Sequence, residues 1–273
     1  MEFVSTGNSH LRILAGSIVK YITIPEGTLT SEDLEDLPFD FQNILPPMDY
    51  TGNWQSAIVA RDELSGELVS ILSSTPLPGV RDRWCSRSVD FLSLKRVRLL
   101  APQTAIFTLK DSTSLEGVQT AAATLLIGKM ARFGGEILYM ETETRAYRLL
   151  NDARQHQRTV PRTPRFLAHI EEGGRIIGML LEKVEGRPAC ESDVAECAQA
   201  LRELFRVGIL QTDCNRYNFL VNDSGHVTII DFGNVTFITT ENAAEGAAML
   251  EEQIEGLEEQ FRDTSGAGTV SWA

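Results

Sequence analysis

The chain has 273 residues, 42% hydrophobic and 23% charged, the profile of a soluble globular protein large enough for a sizeable core. A formal charge of −13, with no basic stretch to offset it, argues against nucleic acid and against an anionic membrane surface as partners. It leaves room for a nucleotide site, which needs only a local lysine and a metal ion.

No apolar run approaches the roughly 20 residues of a membrane span. The N-terminus lacks a basic start followed by an apolar block, so a cytoplasmic protein without a signal peptide is expected. Cys85, Cys190, Cys197 and Cys214 are scattered without a C-x-x-C pair and read as reduced thiols. His10, His156, His169 and His226 show no metal-ligand spacing, which argues against zinc.

Residues 1–95 carry no recognisable chemistry and read as an accessory segment. "LTSEDLEDLPFD" is acidic and ends on proline, "NWQSAIVARDELSGELVSIL" mixes polar and apolar positions at helix-like spacing, and "STPLPGVRDR" reads as a loop. From about residue 96 the texture changes. "KRVRLLA", "TAIFTLK" and "AATLLIGKM" are short apolar runs that predict strands, and "EILYMETETRAYRLLNDARQ" predicts a helix. "PRFLAHIEEGGRIIGMLLEKVEG" predicts a hairpin, two apolar runs around Glu171–Arg175.

"SDVAECAQALRELFRVG" gathers Val194, Cys197, Ala198, Leu201, Leu204 and Phe205 on one helical face, with Ser192 as N-cap and Gly208 as terminator. "YNFLVNDSGHVTIID" predicts two short strands around an Asp223-Ser224-Gly225 turn. A last acidic helix aligns Leu250, Ile254, Leu257 and Phe261, and the tail "TSGAGTVSWA" reads as loose. The order of elements predicts an α+β protein, sheet-rich first and helix-rich later.

The chemistry concentrates in "GILQTDCNRYNFLVNDSGHVTIIDFGNV". Asn218 lies five residues after Asp213, and Asp231 thirteen after Asn218, followed by Phe232 and Gly233. A hairpin between them brings its two ends together. Phosphoryl transfer needs such a set: one carboxylate to orient or deprotonate an attacking hydroxyl, and an amide and a second carboxylate to hold Mg²⁺ against phosphate oxygens. The competing reading is a β-turn that happens to be rich in Asp and Asn.

The D-x-x-x-x-N pattern followed by D-F-G resembles the catalytic loop and metal-binding motif of the protein-kinase-like superfamily, which includes aminoglycoside and choline phosphotransferases. "NRYNFLV", "METETRAYRLL" and "GRIIGMLLEKVEGRPA" are similar to a group of small fungal kinase-like proteins over roughly residues 90–265. The resemblance implies a bilobal fold: a β-rich N-lobe over 96–184, a minimal helical C-lobe over 185–265 and a tail over 266–273.

It also implies ATP and Mg²⁺ as cofactors, with Asp213 as base or orienter and Asn218 and Asp231 as metal ligands. A strand lysine paired with a helix glutamate should grip the phosphates. Lys129 is the lysine. Of the two candidate glutamates, Glu143 shares a face with Tyr139, Ala146, Tyr147 and Leu150, whereas Glu141 aligns with Arg145 and Arg148 on the expected solvent face. By position Leu181 resembles the gatekeeper, and the backbone of Glu182 to Val184 the adenine-binding hinge, with Gly186 turning the chain into the C-lobe.

Several positions depart from the superfamily pattern. Gln211-Thr212 stands where kinases carry His two before the Asp, and Asn215-Arg216 follows it. No G-x-G-x-x-G precedes Lys129; "KDSTSLEGVQT", with Gly117, is the candidate phosphate-covering loop. After Asp231 no A-P-E motif follows, which puts a protein acceptor in doubt beside a small-molecule one. The alternative to an enzyme is a pseudokinase that binds nucleotide or protein partners, the latter through residues 1–95.

Overall fold

The structure, a computed structural model, describes residues 2–110, 115 and 124–263. The chain divides into two compact units: residues 1–79 with the short stretches 132–136 and 172–175, and the remainder from Val80 onward. The division therefore falls after Gly79 and not at residue 95.

The first unit is a five-stranded sheet in chain order: β1 (Glu2–Thr6), β2 (Asn8–Ala15), β3 (Ile18–Ile24), β4 (Ser56–Arg61) and β5 (Leu68–Ser73). Helix α1 (Ser31–Ile44) is the crossover that lets β4 run parallel to β3. Thr30 caps α1: its hydroxyl accepts from the Asp33 N–H while the Asp33 carboxylate accepts from the Thr30 N–H. Pro38 does not end this helix; the chain kinks at Asp40 and continues to Ile44.

The stretch expected to be helical over 53–72 instead carries the β4–β5 hairpin. Ser-Ala-Ile-Val-Ala-Arg and Leu-Val-Ser-Ile-Leu-Ser pair antiparallel. Asp62, accepting from the Leu64 and Ser65 N–H groups, and Gly66 at φ 72° supply the turn. Leu11, Ile22, Leu37, Trp54 and Val59 form the core of this unit. Beside them Arg12, Tyr21, Glu172 and Arg175 make a buried charged cluster in which Arg12 and Arg175 both donate to Glu172.

The second unit begins with β6 (Ser88–Asp90), which pairs parallel with a later strand, so residues 80–95 belong to this unit. Then follow β7 (Leu94–Ala101), β8 (Thr104–Leu109), β9 (Leu126–Met130), α2 (Ile137–Gln155), β10 (Phe166–Glu172) and β11 (Arg175–Glu182). The six strands form one sheet in the order β6-β10-β11-β9-β8-β7. Gly173 and Gly174, both at positive φ, close the β10–β11 hairpin.

Registry fixes what stands beside what. Thr104, Lys129 and Met179 lie across three neighbouring strands, and Ile106, Ile127 and Leu181 form the next row on the same face. Gly178 is obligatory here, because a Cβ would lie 2.0 Å from the Lys129 carbonyl oxygen.

The remaining chain is β12 (Arg187–Pro188), α3 (Val194–Arg206), β13 (Ile209–Gln211), β14 (Phe219–Val221), β15 (Val227–Ile229), β16 (Val235–Phe237) and α4 (Ala243–Arg262). Helix α3 buries Cys197, Ala198, Leu201 and Leu204 and ends at Gly208, φ 92°. Ser192 is not its N-cap. A 3-10 turn over Glu191–Asp193 leads into it, held by the Asp193 carboxylate, which accepts from the Cys190 N–H and both guanidinium ends of Arg187. The β14–β15 hairpin turns on Asn222, which accepts from the Ser224 and His226 N–H groups, with Gly225 at φ 78°. Among the described residues, mixed sheets and four α-helices make an α+β protein, and this second unit has a bilobal kinase-like fold, with a sheet-and-helix half followed by a half carrying α3 and α4.

Candidate functional site

Lys129 sits on the second row from the end of β9, where strand alternation turns its side chain toward α2. It is 4% exposed, and its ammonium lies 2.7 and 2.8 Å from the two carboxylate oxygens of Glu143 and 2.9 Å from Oδ1 of Asp231. Glu143 is fully buried among Met140, Thr144, Ala146, Tyr147 and Leu150 on the inward face of α2. Tyr139, expected on that face, is exposed. Glu141 lies on another face, where its carboxylate accepts from the Arg81 N–H at 2.7 Å.

Burial pushes the Lys129 pKa down, but the two carboxylates outweigh it and hold the ammonium charged. Burial likewise pushes the Asp231 carboxyl up, and the Lys129 charge with the Gly233 N–H more than offsets this, leaving it below its ordinary value.

Asp231 adopts φ 62°, the left-handed region, at a cost of roughly 1–3 kcal/mol for a residue with a Cβ. Three contacts hold it there. Lys129 takes its carboxylate, Gly233 donates to Oδ1, and Gln211 Nε2 donates to its carbonyl at 2.8 Å. The adjacent Phe232 is fully buried, set edge-on against Tyr147 with ring centroids 5.3 Å apart, and its N–H donates to Glu143.

The two loops meet as the hairpin predicts. Strand β13, carrying Gln211, pairs antiparallel with β16, so Gln211 stands opposite Val235 just beyond Asp231-Phe232-Gly233. The Asn218 carbonyl accepts from the Ile230 N–H, and Asn218 Nδ2 donates to the Asp213 carbonyl at 2.9 Å. Asp213, Asn218 and Asp231 are thus tied into one region by short hydrogen bonds. One Asp213 oxygen accepts from Asn215 Nδ2 and the other has no partner among the described residues.

Gln211 is the residue whose role the sequence left unread. It is 1% exposed, and while its amide N–H reaches the Asp231 carbonyl, its oxygen accepts from the Thr212 and, more distantly, the Asp213 N–H. A single side chain bridges the two acidic loops, which is what a residue two before Asp213 must do for both to hold their positions. Gln211→Ala is expected to lower stability by about 1–3 kcal/mol through the buried groups it strands. Gln211→His, which keeps a donor, should lose less; equal losses in urea unfolding would contradict the bridging role.

A cavity of about 300 Å³ lies beside Lys129, bordered by Thr104, Tyr139, Glu143, Asp231 and Asn234 and by the β7–β8 turn Ala101–Gln103. That turn borders the lysine because Thr104 pairs with it and Gln103 accepts from the Met130 N–H. The candidate covering loop at 110–120, Gly117 included, lies outside the described residues apart from Lys110 and Leu115. Glu182 and Val184 do not border this cavity. They border a separate cleft of about 790 Å³, and the Glu182 N–H is spent on the Arg165 carbonyl. On the sheet face between Glu182 and Lys129 the row Ile106, Ile127 and Leu181 is packed to 4% exposure or less.

Among the described residues no three His, Cys, Asp or Glu side chains cluster as a metal site. The donor set does suit magnesium, which takes few protein oxygens and completes its shell with water and phosphate. Asn218 Oδ1 and Asp231 Oδ2 accept no hydrogen bond from the described residues, so both are available to a cation.

Residues 184–263, less than a third of the chain, match the family model of the ABC1 atypical kinase-like domain. The matched stretch contains Gln211, Asp213, Asn218 and Asp231. No curated protein matches the chain.

Proposed function

We propose that this chain, a member of the protein-kinase-like superfamily, is an ATP- and Mg²⁺-dependent phosphotransferase acting on a hydroxyl acceptor. The observation that carries the reading is the buried Lys129 held between Glu143 and Asp231 at 2.7–2.9 Å. A buried lysine with one buried and one partly exposed carboxylate is costly to assemble, and a phosphate site gives the arrangement a use.

In this reading Lys129, fixed by Glu143, binds phosphate oxygens. Asn218 Oδ1 and Asp231 would hold Mg²⁺, which would supply charge neutralisation to a transferring phosphoryl group. Asp213, with one uncommitted oxygen, orients the acceptor hydroxyl and takes its proton. Asn215 and Asn218 hold Asp213 in place, and Gln211 fixes its spacing from Asp231. The backbone of Glu182 to Val184 is proposed as the adenine contact, the Val184 N–H having no partner among the described residues. The unit of residues 1–79 is proposed as accessory to this chemistry.

One observation favours a second reading. The buried row of Ile106, Ile127 and Leu181 leaves the sheet face between hinge and lysine filled by side chains. A kinase-like module that binds without transferring would be built this way. The discriminating experiment follows the γ-phosphate of radiolabelled ATP with and without Mg²⁺. Release or transfer that requires the metal supports the enzyme; none over hours, with ATP bound or unbound, supports the binding module.

A further inference from the structure

The 790 Å³ cleft lies away from the Lys129 cavity and shares no lining residue with it. Its wall combines aromatic rings with cations: Trp84 and Phe166, 4.7 Å apart and tilted, face a rim of Arg154, Arg162, Arg165 and Lys183. Two of the four cations are neutralised locally, Arg165 by Glu182 at 3.1 Å and Lys183 by Glu185. Arg154 and Arg162 have no carboxylate partner among the described residues. Arg154 donates to the Thr163 hydroxyl, and Arg162 uses only its backbone, in a bridge to β15. Two uncompensated guanidinium groups on one cleft are conspicuous in a chain of net charge −13.

A second observation points into the same cleft. Tyr147 lines it and is 1% exposed, yet its hydroxyl has no hydrogen-bond partner among the described residues. A buried hydroxyl left unpaired is destabilising, so its donor calls for an acceptor that a ligand would bring.

We propose that this cleft is a second ligand site, for a small phosphorylated molecule whose phosphoryl group takes Arg154, Arg162 and the Tyr147 hydroxyl. Phosphoryl oxygens match the demand in number and charge: about two negative charges for two free guanidinium groups, and a third acceptor for the hydroxyl. The Trp84 and Phe166 rings offer an apolar wall to whatever carries the phosphate. Tyr147 also supports Phe232 edge-on and lies one helical turn from Glu143. The site therefore touches the same helix that positions Lys129 and borders the Glu182–Val184 backbone proposed for adenine, while its phosphoryl-binding groups are none of those assigned to phosphoryl transfer.

Pyrophosphate, titrated into the full chain by calorimetry with EDTA present, tests this without metal or turnover. Wild type should bind. Arg154→Gln/Arg162→Gln, both exposed positions, should bind at least tenfold more weakly, and Tyr147→Phe several-fold more weakly with its melting temperature unchanged or raised. Asp231→Asn should bind as wild type does, which separates this site from the Lys129 cavity. Malonate at the same concentration should bind far more weakly than pyrophosphate. Absence of binding in wild type, a double variant that binds unchanged, dependence on Asp231, or malonate binding as tightly would each overturn the proposal.

Discussion

Lys129→Met should destabilise the protein by about 3–5 kcal/mol, the range for removing one partner of a buried ion pair and stranding the other. Glu143 is fully buried and would lose its only cation among the described residues, keeping the Phe232 N–H. The pH dependence follows in sign. Burial already pushes the Glu143 carboxyl above its ordinary value, and Lys129 counters it. Without the lysine the folded pKa rises further, so the acid form is the one the fold tolerates. The gap to wild type should therefore be small below the unfolded value of about 4.3 and widen as pH rises toward the new folded value. Lys129→Met/Glu143→Gln should recover much of the loss, because the one charge then left without Lys129 is Asp231, whose carboxylate is partly exposed and keeps the Gly233 N–H. Urea unfolding of the three proteins between pH 4 and 8 checks this, and a pH-independent loss under about 1 kcal/mol would show that the buried pair does not matter to the fold.

Asp213→Ala should lower turnover by about 10²–10⁴-fold, the usual contribution of a positioned acid or base. ATP affinity should be nearly unchanged, because the side chain's one hydrogen bond is to Asn215 and not to Lys129 or Asp231. The fold should also survive, since Asn218 holds the Asp213 carbonyl and not its carboxylate. Turnover at the wild-type rate would remove Asp213 from the mechanism. A parallel loss of ATP affinity would move it to the binding set.

Which features could be read from residues alone follows from how local their causes are. Helix α2 shows a 3.6-residue period, and that period separates the inward Glu143 from Glu141. The β14–β15 hairpin rests on Asn222 and Gly225, turn chemistry contained within five residues. Gln211 could not be assigned because its partner is a backbone carbonyl twenty residues on, reached only once β13 and β16 pair.

The β7–β8 turn is illegible in the sequence for a similar reason. Its place beside Lys129 depends on the Thr104–Lys129 register, which no local signal at Ala101–Gln103 encodes. In the first unit, Ile58, Ile71 and Leu72 are exposed on β4 and β5, which blurs the period-2 alternation that would have marked those strands. The phosphate cleft is assembled from residues near 84, 147–166 and 182–185, so nothing in any one segment announces it.

The central claim is that Asn218 and Asp231 present a metal ion to ATP phosphates beside Lys129. The most direct measurement is the melting temperature of the full chain with ATP, with and without Mg²⁺, for wild type and Asp231→Asn. Asparagine tolerates the left-handed φ of residue 231 and keeps the side chain's size, so the variant removes charge and little else. At a hundred times its dissociation constant a ligand stabilises a fold by about 2.7 kcal/mol, readily visible in such a scan. The account predicts a shift with ATP that requires Mg²⁺ and disappears in Asp231→Asn. No shift, or one indifferent to both metal and substitution, would contradict it and leave a kinase-like fold whose lysine–carboxylate cluster serves the fold alone.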